Sequence, residues 1–193
     1  MFSTRRTNDE NILICNSHKI RTMKILFSLT ICLTLSASLF AQEAKTEDVQ
    51  SADAIIAALY DVISGPAGEK RDWDRMKSLF IPEGRLMPTG KGSNGVGYRT
   101  WTVQEYIEQA GAGLEEGGFF EVEISRKTEA YGTISHVFST YESRRTLKDD
   151  KPFARGINSI QLLNGGDRWW IVSVFWMGET PEFQLPKKYL KKN

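Results

Sequence analysis

The chain has 193 residues, of which 25 are basic and 24 acidic, a formal net charge of +1, and 40% of it is hydrophobic. Such a balance gives no basic footprint for nucleic acid. Two cysteines (Cys15, Cys32) and two histidines (His18, His136) are the whole supply for thiol or Cys/His zinc chemistry, so what is left of them after any processing decides whether such chemistry is available.

From Met23 the sequence reads MKILFSLTICLTLSASLFAQ: a basic Lys24, an apolar stretch from Ile25 to Leu35, then small residues and Ala41 before Gln42. That three-part layout predicts an upstream leader plus signal peptide over residues 1–41, with translation starting at Met23, because Asp9 and Glu10 do not suit a basic leader. The apolar stretch is short of the roughly 20 residues a membrane-spanning helix needs. Thr30 and Ile31 stand where small residues would precede a lipid-attachment cysteine, so Cys32 belongs to the apolar stretch. Cleavage after Ala41 removes both cysteines, His18, five basic residues (Arg5, Arg6, Lys19, Arg21, Lys24) and two acidic ones, leaving a net charge of −2. The exported remainder, periplasmic or secreted, is expected to use no metal, no cofactor, no nucleic acid and no stable membrane insertion.

Residues 42–52 are polar and read as a flexible lead-in to one domain over 53–180. Ile55, Ile56, Leu59, Val62 and Ile63 recur at helical spacing, with Ser51 or Asp53 as cap, and Gly65 and Pro66 end the run. Asp72 caps a second, short helix with Trp73, Met76, Leu79 and Phe80 on one face, which Pro82 stops. Residues 84–88 read as a short strand. The run Gly90 to Gly95 matches G-x-G-x-x-G, but no helix follows it, so it reads as a flexible loop. Thr102 and Glu105 form a capping box that opens a third helix through Val103, Tyr106, Ile107 and Ala110, closed by Gly111 to Gly118. From Phe119 the period becomes two: Phe120, Val122 and Ile124 alternate with Glu121, Glu123 and Ser125. Strands are predicted at 133–146, 153–164 and 168–177, joined by short turns and so antiparallel. Residues 181–193 form a basic tail, with Lys187, Lys188, Lys191 and Lys192 in solvent.

The layout is α+β: three N-terminal helices that cover one face of a curved, mostly antiparallel sheet. With its segments WDRMKSLFIPEGRLMP, GTISHVFSTYESR and RWWIVSVFW, the stretch from Asp53 to Trp176 resembles the nuclear transport factor 2-like superfamily, which includes the SnoaL-type cyclases, ketosteroid isomerase and scytalone dehydratase. The resemblance implies that the sheet is strongly curved into a cone-shaped half-barrel, with a pocket between helices and sheet. It also implies a choice among enzymes, ligand carriers and association domains that fold alone does not make.

Strand register then orders the side chains. A two-residue turn at Gly165-Gly166 sets Asn158 opposite Ser173, and a turn centred on Asp149-Asp150 sets Tyr141 opposite Asn158. One face then carries Val137, Ser139, Tyr141, Asn158, Ile160, Leu162, Trp169, Ile171, Ser173 and Phe175. It holds no ionised side chain and is assigned to the inside, where an unpaired charge is expensive. Tyr141, Asn158 and Ser173 form a polar row that either orients a ligand or satisfies itself within the core. Ser139, Tyr106, Trp73, Trp169 and Phe175 complete the expected ligand-binding set, with plain core packing the alternative for each aromatic. His136 and Asp74 are the weak candidates for an acid or base; register puts His136 on the outer face, and Asp74 sits beside a helix start. Trp170, Val172, Val174 and Trp176 on the outer face predict a homodimer. The sequence therefore favours an exported domain that binds a small apolar molecule. The alternatives are a SnoaL-like isomerase, dehydratase or cyclase, and a non-catalytic association module.

Overall fold

The computed structural model describes residues 43–190. The expected signal segment, Cys15, Cys32, His18, Lys191 and Lys192 lie outside the described residues.

The lead-in is not loose. Residues Thr46–Val49 form a short helix, α1, whose Val49 enters the core and whose Asp48 meets Arg75 at 2.7 Å. The Arg75 guanidinium holds the Asp48 carboxyl below its ordinary value. Helix α2 (Ala52–Ile63) starts where Ser51 accepts from the Ala54 N–H, and it buries Ile55, Ile56, Leu59, Tyr60, Val62 and Ile63. Helix α3 (Trp73–Leu79) is capped by Asp72. Phe80, expected on that helix, instead begins β1 (Phe80–Gly92), and Pro82 falls in a stretch of that strand where the ladder is irregular. The glycine-rich run is the tip of a hairpin between β1 and β2 (Gly95–Tyr98) rather than a loose loop.

After β3 (Trp101–Thr102), helix α4 (Val103–Gly117) opens on the expected Thr102/Glu105 capping box. It continues through Gly111 instead of closing there. A Cβ at Gly111 would stand 3.2 Å from the Trp73 ring, so this glycine lets α3 and α4 approach closely. The ends of both long helices share one device, the buried Arg71. Its guanidinium donates to the carbonyls of Ile63, Gly65 and Leu114, the last at 3.1 Å, so it fills acceptors that a helix C-terminus leaves open.

Strands β4 (Phe120–Tyr131), β5 (Ile134–Arg144), β6 (Ala154–Asn164) and β7 (Trp169–Gly178) form an antiparallel meander, and β1 joins β7 in parallel. The order β2-β1-β7-β6-β5-β4 is the expected α+β layout with an open, mixed sheet. Buried Val137, Tyr141, Ile160, Leu162, Ile171 and Val174 from the sheet meet Ile55, Ile56, Leu59 and Met76 from the helices to make the core.

Two bulges decide which way side chains point. The turn after β6 has four residues, with Asn164 opposite Trp169, so Trp169 and Ile171 do face the helices. Val172 then has no partner in β6, and beyond it Asn158 pairs with Trp176 and Ile160 with Val174. Because side chains alternate, one extra residue reverses the faces from there on. Val174 and Trp176 therefore point toward the helices, and Ser173 and Phe175 point away, the reverse of the expectation. Ile124 does the same in β4: Glu121 lies opposite Ser143 and Glu123 opposite Tyr141, on the helix-covered face, while Val122 is exposed. Between β5 and β6 the register is two residues from that expected, which preserves the faces and sets Ser139 against Asn158 and Tyr141 against Gly156.

The tail is not a free end throughout. Residues Lys187–Tyr189 form a 3-10 turn against the outer face, where the Thr140 hydroxyl donates to the Tyr189 carbonyl at 2.8 Å and the rings of Phe138 and Tyr189 lie 5.1 Å apart.

Candidate functional site

Between α2, α4 and the inner sheet face lies a cavity of about 110 Å³, lined by Leu59, Ile63, Met76, Leu86, Tyr106, Phe119, Glu121, Asn158, Val174 and Trp176. Its polar groups are few and convergent. The Asn158 amide donates to a Glu121 carboxylate oxygen at 3.0 Å, and the Ser143 hydroxyl donates to the other at 3.2 Å. The second Asn158 N–H goes to the Tyr60 hydroxyl at 3.0 Å.

From there every proton has one destination. Ser139 uses its only proton on Glu123, so the Tyr60 hydroxyl, 2.7 Å away, must donate to Ser139 rather than accept. Glu123 in turn is paired with Arg126, which also reaches Asp53 at 2.6 Å. The chain Asn158 to Tyr60 to Ser139 to Glu123 thus runs from the cavity wall to an ion pair at the edge of the helix layer, with both Asn158 N–H groups committed.

Glu121 is the electrostatic centre of the cavity. Burial pushes its carboxyl up from 4.5 to about 7, against the opposing pull of its bonds from Asn158 and Ser143. Around it, the hydroxyls of Tyr60, Tyr106 and Tyr141 are all raised above the ordinary phenol value, by burial first and by the Glu121 charge second. Tyr106 and Trp176 stand edge to face, 6.3 Å apart at 87°.

Of the residues singled out from sequence, Tyr106 and Asn158 line this cavity, and Ser139 and Tyr141 sit beside it on the same face, Ser139 fully buried. Ser173 and Phe175 are on the other face, with Phe175 42% exposed. Trp73 lies between α3 and α4, its indole N–H donating to Glu115 at 2.8 Å, and Trp169 packs at the core's edge. Neither reaches the cavity. His136 is on the outer face, 3.0 Å from the Ser159 hydroxyl, and Asp74 is exposed and paired with Lys77. Glu121 was missed because the Ile124 bulge hides its face from a regular alternation. Among the described residues no cluster could hold a metal ion, and no helix is long and apolar enough to cross a membrane.

A larger groove, about 330 Å³, lies on the outer face between Phe138, Ile157, Phe175 and Met177 and the segment Phe183 to Pro186. Its one ionisable side chain, Glu179, is already committed to Arg155 and to the Leu185 N–H, so the groove offers no free chemistry.

No protein-family model and no curated protein matches the chain. Solved structures do match. A Nostoc punctiforme protein with a cystatin-like fold, itself of unknown function, superposes with a TM-score of 0.52 at 12% identity, covering 72% of this chain and 97% of that one. A nuclear transport factor 2-like protein of unknown function from Silicibacter pomeroyi gives 0.47 at 13% identity over 66% and 92%. An uncharacterised cystatin-like protein from Caulobacter vibrioides gives 0.48 at 12% over 67% and 88%. The fold is accordingly the nuclear transport factor 2-like, cystatin-like cone.

Proposed function

We propose that the protein binds a small, largely apolar molecule in the cavity between the helices and the sheet, with Glu121 and Asn158 as the polar contacts. The observation that carries this reading is a pocket of aromatic and aliphatic walls in which one carboxyl and one amide converge. Native mass spectrometry of protein purified from its own source tests it. A retained small molecule is expected, lost in Val174→Phe, which fills the cavity from the sheet; retention in that variant would refute the site.

A second reading, proton-transfer catalysis, is favoured by the place of Glu121 in the cavity wall, bonded by Asn158 and Ser143, where burial pushes its carboxyl up to about 7 and lets it both take and give a proton at neutral pH. In this reading Glu121 takes the role that His136 and Asp74 are badly placed to fill. Deuterium exchange into small ketones, present in the wild type and absent in Glu121→Gln, is its signature; equal exchange by both proteins excludes it.

We also propose export with cleavage after Ala41, supported by the layout from Met23 to Ala41. An N-terminal sequence beginning at Met1 in the purified protein would contradict it. Association of two copies through the outer sheet face is supported by exposed Phe175 and Phe183 beside the apolar groove. Trp170, stacked under Arg168 at 3.6 Å, belongs to that face, whereas Val174 and Trp176 do not. A concentration-independent monomer in sedimentation would rule the dimer out.

A further inference from the structure

The cavity is one-sided in charge. Among the described residues no Lys or Arg side chain lines it, and both Glu121 oxygens accept only from neutral donors, Asn158 and Ser143. An anionic ligand would meet like charge there. A wholly apolar one would strip water from a carboxylate and return nothing. The remaining walls are those that attract cations: Tyr106 and Trp176 are set nearly perpendicular, and Phe119 is a third aromatic. With both Asn158 N–H groups committed, its carbonyl oxygen is the part of the amide left for a ligand donor. A volume of about 110 Å³ has room for about four water-sized groups.

Resting on the small-molecule reading of this cavity, we propose that its ligand is a small alkylammonium ion. The charge is met by the Glu121 carboxylate, an N–H by the Asn158 carbonyl, and the alkyl groups by Tyr106, Trp176 and Phe119. The ion brings the counter-charge that the protein itself does not supply. Binding then favours ionised Glu121, so a proton leaves the protein as the cation enters at pH values below about 7.

Two molecules of one shape test this, tert-butylammonium and tert-butanol, titrated at pH 8 by calorimetry and by NMR shifts of the Trp176 indole. The ammonium is expected to bind about tenfold or more tightly than the alcohol, with the preference gone in Glu121→Gln. Its affinity should fall by about tenfold per pH unit below 7 in the wild type. In Tyr106→Leu the ammonium should weaken more than the alcohol, a second check that leaves the carboxylate in place. If tert-butanol binds as well as the ammonium and Val174→Phe abolishes both, the ammonium assignment is overturned while the pocket stands. If neither molecule shifts the Trp176 signal, the ammonium assignment falls, and the small-molecule reading stands or falls on the retained ligand.

Discussion

Replacing Glu121 by Gln should stabilise the protein increasingly as pH rises from 4.5 through about 7. Gln preserves the shape, keeps an acceptor for Asn158 and can donate to the Ser143 hydroxyl. It removes only the charge. The carboxyl rises from 4.5 to about 7 on folding, which corresponds to about 3 kcal/mol of penalty for holding the ionised form in place. The folded state binds this proton more tightly than the unfolded chain. Its contribution to stability is therefore fully present below pH 4.5 and is lost as pH rises through about 7. The variant does not titrate here, so its advantage over the wild type should be constant below pH 4.5. It should then grow by at most about 1.4 kcal/mol per pH unit and level off about 3 kcal/mol higher above pH 8. Urea denaturation followed by tryptophan fluorescence, run on both proteins from pH 4 to 8.5, measures the difference directly. Parallel stability curves would show that Glu121 is not held in a charge-hostile site, and the electrostatic reading of the cavity would fail with it.

Tyr60→Phe removes both the acceptor for Asn158 and the donor to Ser139, so a loss of about 2 to 3 kcal/mol in urea unfolding is expected; a loss under half of that would mean the proton chain is not held as described. In Gly156→Ala the new Cβ would collide with the Met177 carbonyl and the Tyr141 hydroxyl, and a penalty of about 1 to 3 kcal/mol should appear together with a displaced Tyr141 in a crystal structure of the variant. Arg71→Ala strands helix-end carbonyls of α2 and α4 at once. It should cost about 3 kcal/mol and raise amide exchange in the last turns of both helices, whereas exchange confined to the loop between Gly65 and Arg71 would argue against a shared cap.

Most of the fold could be read from the chain because local chemistry decides it. Ser51, Asp72 and Thr102 announce their helices by capping, and the period-two runs from Phe119 onward announce the meander. What escaped was decided by tertiary contact. Asp48 and Val49 lie in a polar stretch; Arg75, 27 positions away, holds Asp48 inside, and Val49 packs into the core. Gly111 looks like a helix stop until Trp73 is laid against it. Register failed for a sharper reason. Errors of two residues, as at the turns flanking β6, leave faces intact. Single unpaired residues, Ile124 and Val172, exchange them. No alternation of apolar and polar residues marks either bulge, because Glu121 and Glu123 look like solvent-facing residues until their partners Ser143, Asn158, Ser139 and Arg126 are known. The site was half legible in consequence: Asn158 and Tyr106 were found, and the carboxyl between them was not.

The Val172 bulge also bears on how this chain could change length. Elsewhere in a strand, loss of one residue turns every following side chain over and empties the core. Here the spare residue is Val172 itself, which has no partner in β6. Deleting it would leave Ile171, Val174 and Trp176 facing the helices and opposite the same residues of β6, now on an unbroken ladder. Position 172, and by the same geometry 124, are therefore the places within the sheet where relatives one residue shorter could retain an unchanged interior.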